Sequence, residues 1–100
     1  MNQNMLKQAQ EMKTKLDKIQ KELADTIIEV NYKNNVKVII DGQQKIQSIT
    51  ISPKVVNPNK IEDLEGMILK AVNEAMEKSQ KNASKQLNKV TGGLKIPGLF

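Results

Sequence analysis

The sequence predicts an α+β domain: a long helix, a three-stranded antiparallel meander, then a longer second helix. Three observations carry that reading. Apolar residues recur in alternating steps of four and three over the first quarter of the chain. Between about residues 26 and 52 the period falls to two and is broken by two turn signals. From about residue 60 to 91 a helical period returns, and Gly92-Gly93 stops it. The 100 residues form one domain, 1–100, and a chain this short buries only about 60–65% of its unfolded surface.

The first helix, about 4–24, carries a narrow seam of Met5, Ala9, Met12, Leu16, Ile19 and Leu23, nearly three heptads long. Its polar face is balanced, since Glu11 precedes Lys15 and Asp17 precedes Lys21 at the favourable i,i+4 spacing. In the first strand, Thr26 to Tyr32, Ile28, Val30 and Tyr32 alternate with Glu29 and Asn31. Lys33-Asn34-Asn35 supplies a turn, because asparagine tolerates positive φ. Val36 to Asp41 is the second strand, Asp41-Gly42 signals a second tight turn, and Lys45 to Ser52 is the third strand, ended by Pro53. Asn59 reads as the N-cap of the second helix, about 60–91, with Glu62 three residues on as in a capping box. Glu62, Asp63 and Glu65 suit the positive end of its dipole. Ile61, Leu64, Ile68, Val72 and Ala75 form its apolar face, extended by Ala83, Leu87 and Val90. Gly66 costs about 1 kcal/mol against alanine and marks either close packing or a soft point. Residues 92–100 form a tail broken by Pro97-Gly98.

Lengths imply assembly. The helices span roughly 30 and 45 Å, whereas a six-residue strand is about 20 Å long and three strands cover about 15 Å. The sheet cannot cover both helices, so apolar side chains overhang it. Ile27, Ile39 and Ile46 fall on the strand face opposite the main alternation. A twofold homodimer buries both surfaces, with Ile27, Ile39, Ile46, Leu16 and Ile19 as candidate interface residues.

Composition narrows the chemistry. With no cysteine and no histidine there is no disulfide scaffold, thiolate nucleophile, imidazole metal ligand or ordinary base near neutral pH. Glu74 and Glu77 resemble a carboxylate pair, but each stands four residues before a lysine, Lys78 or Lys81, so surface ion pairs account for them. No glycine-rich phosphate loop opens a helix. These absences argue against an enzyme and against a cofactor, a metal or a small-molecule substrate. No signal-peptide core and no long apolar run support export or membrane insertion.

The net charge is +5, and all 16 cations are lysine. After Glu77 no acid occurs, while Lys78, Lys81, Lys85, Lys89 and Lys95 follow. The first four lie at i, i+3, i+7 and i+11, which draws one row down a helix. Acidic neighbours partly neutralise Lys78 and Lys81, so Lys85 and Lys89 carry most of the field. Such a row suits phosphates, although lysines near a helix C-terminus also suit the macrodipole and solubility. Without arginine, guanine edges lose their bidentate partner, and with one Tyr, one Phe and no Trp single-stranded bases lack a stacking platform. If the chain binds nucleic acid, these absences favour duplex backbone as its target.

The element order, the strings "MLKQAQEMKTKLDKIQKEL", "DGQQKIQSITISPKVV" and "IEDLEGMILKAVNEAMEKSQK", and the ending "GGLKIPGLF" together resemble the YbaB/EbfC nucleoid-associated proteins over nearly the whole chain. The resemblance implies a bacterial, cytoplasmic, nucleoid-associated homodimer whose helices project from a central body like the arms of tweezers and grip duplex DNA. It also implies roles in nucleoid organisation and gene regulation. Two departures stand out: Lys33-Asn34-Asn35 replaces a glycine-rich turn, and Gly66 stands where an aspartate is common. The candidate DNA-binding residues are Lys78, Lys81, Lys85, Lys89 and Lys95, with Lys7 and Lys18 from the first helix. Three or four lysines per protomer, or roughly 6–8 phosphates per dimer, give a log–log salt slope of about −5 to −7 with little sequence preference. The alternative is a protein-interaction or chaperone-like module whose coiled-coil seam, with Met5, Met12, Met67 and Met76, grips a partner helix instead of DNA.

Overall fold

The computed structural model describes residues 3–91. Helix α1 (Gln3–Asp25) leads into strands β1 (Ile27–Tyr32), β2 (Val36–Asp41) and β3 (Ile46–Ile51), a single 3₁₀ turn (Pro53–Val55) and helix α2 (Ile61–Thr91). The sheet has order β1-β2-β3 with both pairings antiparallel. The α+β architecture is the one the periodicities predict. The tail with Lys95 lies outside the described residues.

One face of the sheet is apolar throughout. Ile28, Val30 and Tyr32 of β1 pair with Ile40, Val38 and Val36 of β2, and the latter three pair onward with Ile46, Ile49 and Ile51 of β3. Helix α2 packs on this face over β1 and β2. Val30, Val36, Val38 and Ile40 are buried to within 1%, each contributing roughly 1.5–3 kcal/mol through removal of its side chain from water. The helix can lie close because Ala71, Ala75 and Ser79, at i, i+4 and i+8, present only small side chains, all fully buried. Val72, Ile68, Met67 and Met76 fill the flanks. Ile61, expected on the apolar face, stays 45% exposed at the helix start.

Three local expectations change in detail. The expected capping box at Asn59 does not form. Instead the Asn57 side-chain oxygen accepts the Asn59 N–H at 3.0 Å and the Asn57 carbonyl accepts that of Lys60 at 2.9 Å, turning the chain into α2. At the Asp41-Gly42 turn, positive φ falls on Gln44 (64°), and in the first hairpin on Lys33 (50°) and Asn34 (60°). Gly42 is required for another reason: a Cβ there would lie 2.6 Å from the Leu23 carbonyl oxygen. Gly66 has nothing within 4 Å of an added Cβ, so it is not a close-packing site.

The third change concerns Ile46. A bulge between Ile39 and Ile40 shifts the register so that Ile39 pairs with Ser48 and Ile40 with Ile46. Ile46 therefore shares the helix-side face with Ile40, not the opposite face with Ile27 and Ile39. That opposite face is mostly polar, with Lys37 and Glu29 paired at 3.7 Å and Ser48 and Thr50 exposed beside them. Ile27 is 64% exposed on it, and further uncovered apolar surface is lateral. Along β3, Ile46 and Ile49 remain 40% and 44% exposed, because α2 is centred over the other two strands.

Candidate nucleic-acid interface

The molecule is long and thin, 68 × 21 × 16 Å, with a radius of gyration of 18.8 Å against about 13 Å for a compact chain of this length. Its length comes from helix that outruns the sheet. Helix α2 leaves the sheet near Ser79 and continues twelve residues to Thr91, about 18 Å further. Helix α1 contacts the rest of the fold through its C-terminal end. Leu23 is buried, Ile19, Leu16 and Met12 are half-buried, and Ala9 and Met5 are exposed. Leu23 and Gln20 line a crevice with Ala83 and Leu87 of α2, where the two arms meet.

This meeting fixes which way the lysines point. Two residues along a helix turn the side chain by about 200°. With Leu87 buried toward α1, Lys85 and Lys89 are carried to the outer side of the arm, and both are exposed. Lys81, Lys85 and Lys89 line one shallow groove on α2 with Ser84 and Asn88, and Glu77 and Gln80 close its proximal end. From Lys78 to Lys89 the row runs about 16 Å, the length of some five base pairs at 3.4 Å each. Lys7 and Lys18 follow seam residues Met5 and Leu16 by two positions, so they too face outward and are exposed.

Ion pairing divides the row as the spacing predicts. Lys78 meets Glu74 at 4.0 Å and Lys81 meets Glu77 at 3.4 Å, both on the exposed surface. Among the described residues no carboxylate lies within 4.0 Å of Lys85 or Lys89. On α1 the expected pairs Glu11–Lys15 and Asp17–Lys21 do not close to 4.0 Å, in keeping with the small energy of exposed pairs. Charge is also uneven between the arms. Helix α1 mixes five lysines with Glu11, Asp17, Glu22 and Asp25, whereas α2 from Lys78 onward has four lysines and no acid. The positive field belongs to α2.

Among the described residues no group of three or more acidic side chains is placed to hold a metal ion, and no helix is long and apolar enough to cross a membrane. Asn88 carries no sequence signal of its own and Ser84 only a chance Asn-X-Ser pattern, while Ser79 is the third member of the small-residue row with Ala71 and Ala75.

A family model described as the YbaB/EbfC DNA-binding family matches residues 1–94. The chain is 44% identical to a nucleoid-associated protein of Chloroflexus aggregans over the whole of both chains. It is 41% identical to a nucleoid-associated protein of Acetivibrio thermocellus, over 97% of this chain and 88% of that protein. A nucleoid-associated protein of Ruminiclostridium cellulolyticum is 40% identical over 97% of this chain and 86% of its own length.

Proposed function

The chain belongs to the YbaB/EbfC DNA-binding family, a family of nucleoid-associated proteins and not of enzymes, and from that premise we propose that it holds duplex DNA by lysine–phosphate contacts as a homodimer. The observation that carries the phosphate reading is the outward row of α2, whose distal lysines, Lys85 and Lys89, stand exposed with no carboxylate within 4.0 Å among the described residues. Lysine acts as a point charge, so it neutralises backbone without reading base edges, and sequence preference is weak. Lys78 and Lys81 add to the same row, Lys7 and Lys18 add exposed charge on the outward side of α1, and Lys95 extends the proposal into the tail. Binding of this kind suits a cytoplasmic protein of the bacterial nucleoid with roles in DNA organisation and gene regulation.

Self-association is supported by the strip along β3. Met67, Gly66 and Lys70 flank α2 on the side of Tyr32 and Lys33, so helical geometry turns Leu69, Val72 and Met76 toward β3. Leu69 is 61% exposed on that side, as Ile46 and Ile49 are 40% and 44% exposed on β3. A second copy seated there covers these exposed apolar side chains, and Ile27, Ile39, Leu16 and Ile19 remain as further interface candidates.

The test is titration of random duplex DNA at several salt concentrations, with the mass in solution measured in parallel. We expect a dimer and a slope of about −5 to −7. Changing Lys85 and Lys89 to glutamate removes four contacts per dimer, which lowers the slope by about 4 and the affinity by about 10³-fold at 100 mM salt. Unchanged affinity in that variant would remove the row from the mechanism. A wild-type protein indifferent to duplex DNA at low salt would instead favour the protein-interaction alternative.

A further inference from the structure

The turn between β2 and β3 is bonded to both arms, and it lies at the crevice where Gln20 and Leu23 of α1 meet Ala83 and Leu87 of α2. On the α2 side, the fully buried Ser79 hydroxyl donates to the Asp41 carbonyl at 2.7 Å and accepts from the Gln44 N–H and the Gln44 Nε2, each at 3.2 Å. One donor and two lone pairs are all that a hydroxyl has, so its capacity is fully used. On the α1 side, the Gly42 N–H donates to the Leu23 carbonyl at 2.8 Å, and Gln43 Nε2 donates to the Gln20 carbonyl at 2.9 Å and to Gln20 Oε1 at 3.3 Å.

The turn itself is stiff. Asp41, 5% exposed, accepts the Gln43 N–H at 2.8 Å and the Lys45 N–H at 3.0 Å on one carboxylate oxygen, and Gln47 Nε2 at 3.3 Å on the other. The turn therefore links the two arms, and cutting either side leaves their relative angle to the direct packing of α1 on α2 alone.

We propose that Ser79 and Gln43 are positioning residues for DNA binding: through the 41–45 turn they fix the angle between the two arms, and so how many lysines reach phosphates at once. Neither side chain contributes charge. This inference rests on the DNA-binding reading, but arm spacing can be measured without DNA. The chain has no cysteine, so cysteines placed at Gln10 and Asn88 accept spin labels at those two points alone. Mixing labelled protein into a large excess of unlabelled protein confines the measured distance to one chain.

The wild-type protein should give one narrow inter-arm distance. Ser79→Ala and Gln43→Ala should each at least double its width, and should lower the DNA salt slope by about 1–2 and the affinity roughly tenfold at 100 mM salt. Lys85→Gln should lower the slope without broadening the distance, separating lost charge from lost geometry. Should Ser79→Ala not fold, because the Asp41 carbonyl and Gln44 N–H lose a buried partner, Gln43→Ala still decides the matter from the partly exposed side. A folded Gln43→Ala protein with an unchanged distance distribution would overturn the proposal. Broadened distances in a protein that never binds DNA would leave the clamp standing and sink the DNA reading.

Discussion

Helix α2 is one continuous element with two different halves. From Ile61 to Glu77 it holds five acids against the single Lys70, and its inner face, centred on Ala71 and Ala75, lies on the sheet. From Lys78 to Thr91 it holds four lysines and no acid, and it has left the sheet for the neighbourhood of α1. The first half is tied down by packing, so its surface charges are free to serve the helix dipole and solubility. The second half is held mainly by Leu87, the Ser79 hydrogen bonds and the crevice with α1. It can therefore carry an unneutralised charge row that a packed helix would gain nothing from. One backbone thus separates stability from binding along its length.

Substitutions can break this division or sharpen it. The largest effect on stability is expected in the packed half. Ala75→Leu forces a large side chain between α2 and Val38 and Ile40, costing about 1–3 kcal/mol of stability in a denaturant melt. Ser84→Ala, on the exposed flank of the distal half, should leave that melt within about 0.5 kcal/mol. Equal losses in the two variants would erase the distinction between the halves.

An intermediate effect is expected where the halves meet. Glu74→Gln with Glu77→Gln releases Lys78 and Lys81 from their ion pairs. DNA affinity should rise several-fold, with a change in stability below about 1 kcal/mol because exposed pairs are weak. No gain in affinity would mean that the proximal lysines lie outside the DNA contact. The smallest effect belongs to Gly66→Ala. The added methyl meets open space, so up to about 1 kcal/mol of stability should be gained with DNA affinity unmoved. A loss of stability there would show that α2 needs glycine at that position.

The split was partly legible in the sequence. The i,i+4 pairs of Glu74 and Glu77 with Lys78 and Lys81 could be read directly, because helical neighbours are set by local geometry alone. So could the helices and strands, since period and turn chemistry are local. What escaped depended on contacts between distant segments. The reason for Gly42 lies nineteen residues away, in the carbonyl of Leu23. Ser79 looks like an ordinary polar residue until Asp41 and Gln44 are placed beside it. The strand face of Ile46 was misread because one bulge reverses alternation beyond it, and no residue type announces that bulge.

The graded seam of α1 has a consequence for motion. Burial declines from Leu23 through Ile19, Leu16 and Met12 to Ala9 and Met5, so each turn farther from the body has less tertiary packing to hold it helical. Amide hydrogen exchange should reveal a fraying front, slowest beside Leu23 and faster turn by turn toward the amino terminus, opening well below the cost of global unfolding. A second copy or a DNA duplex laid along that arm would be read out as the front retreating toward the tip.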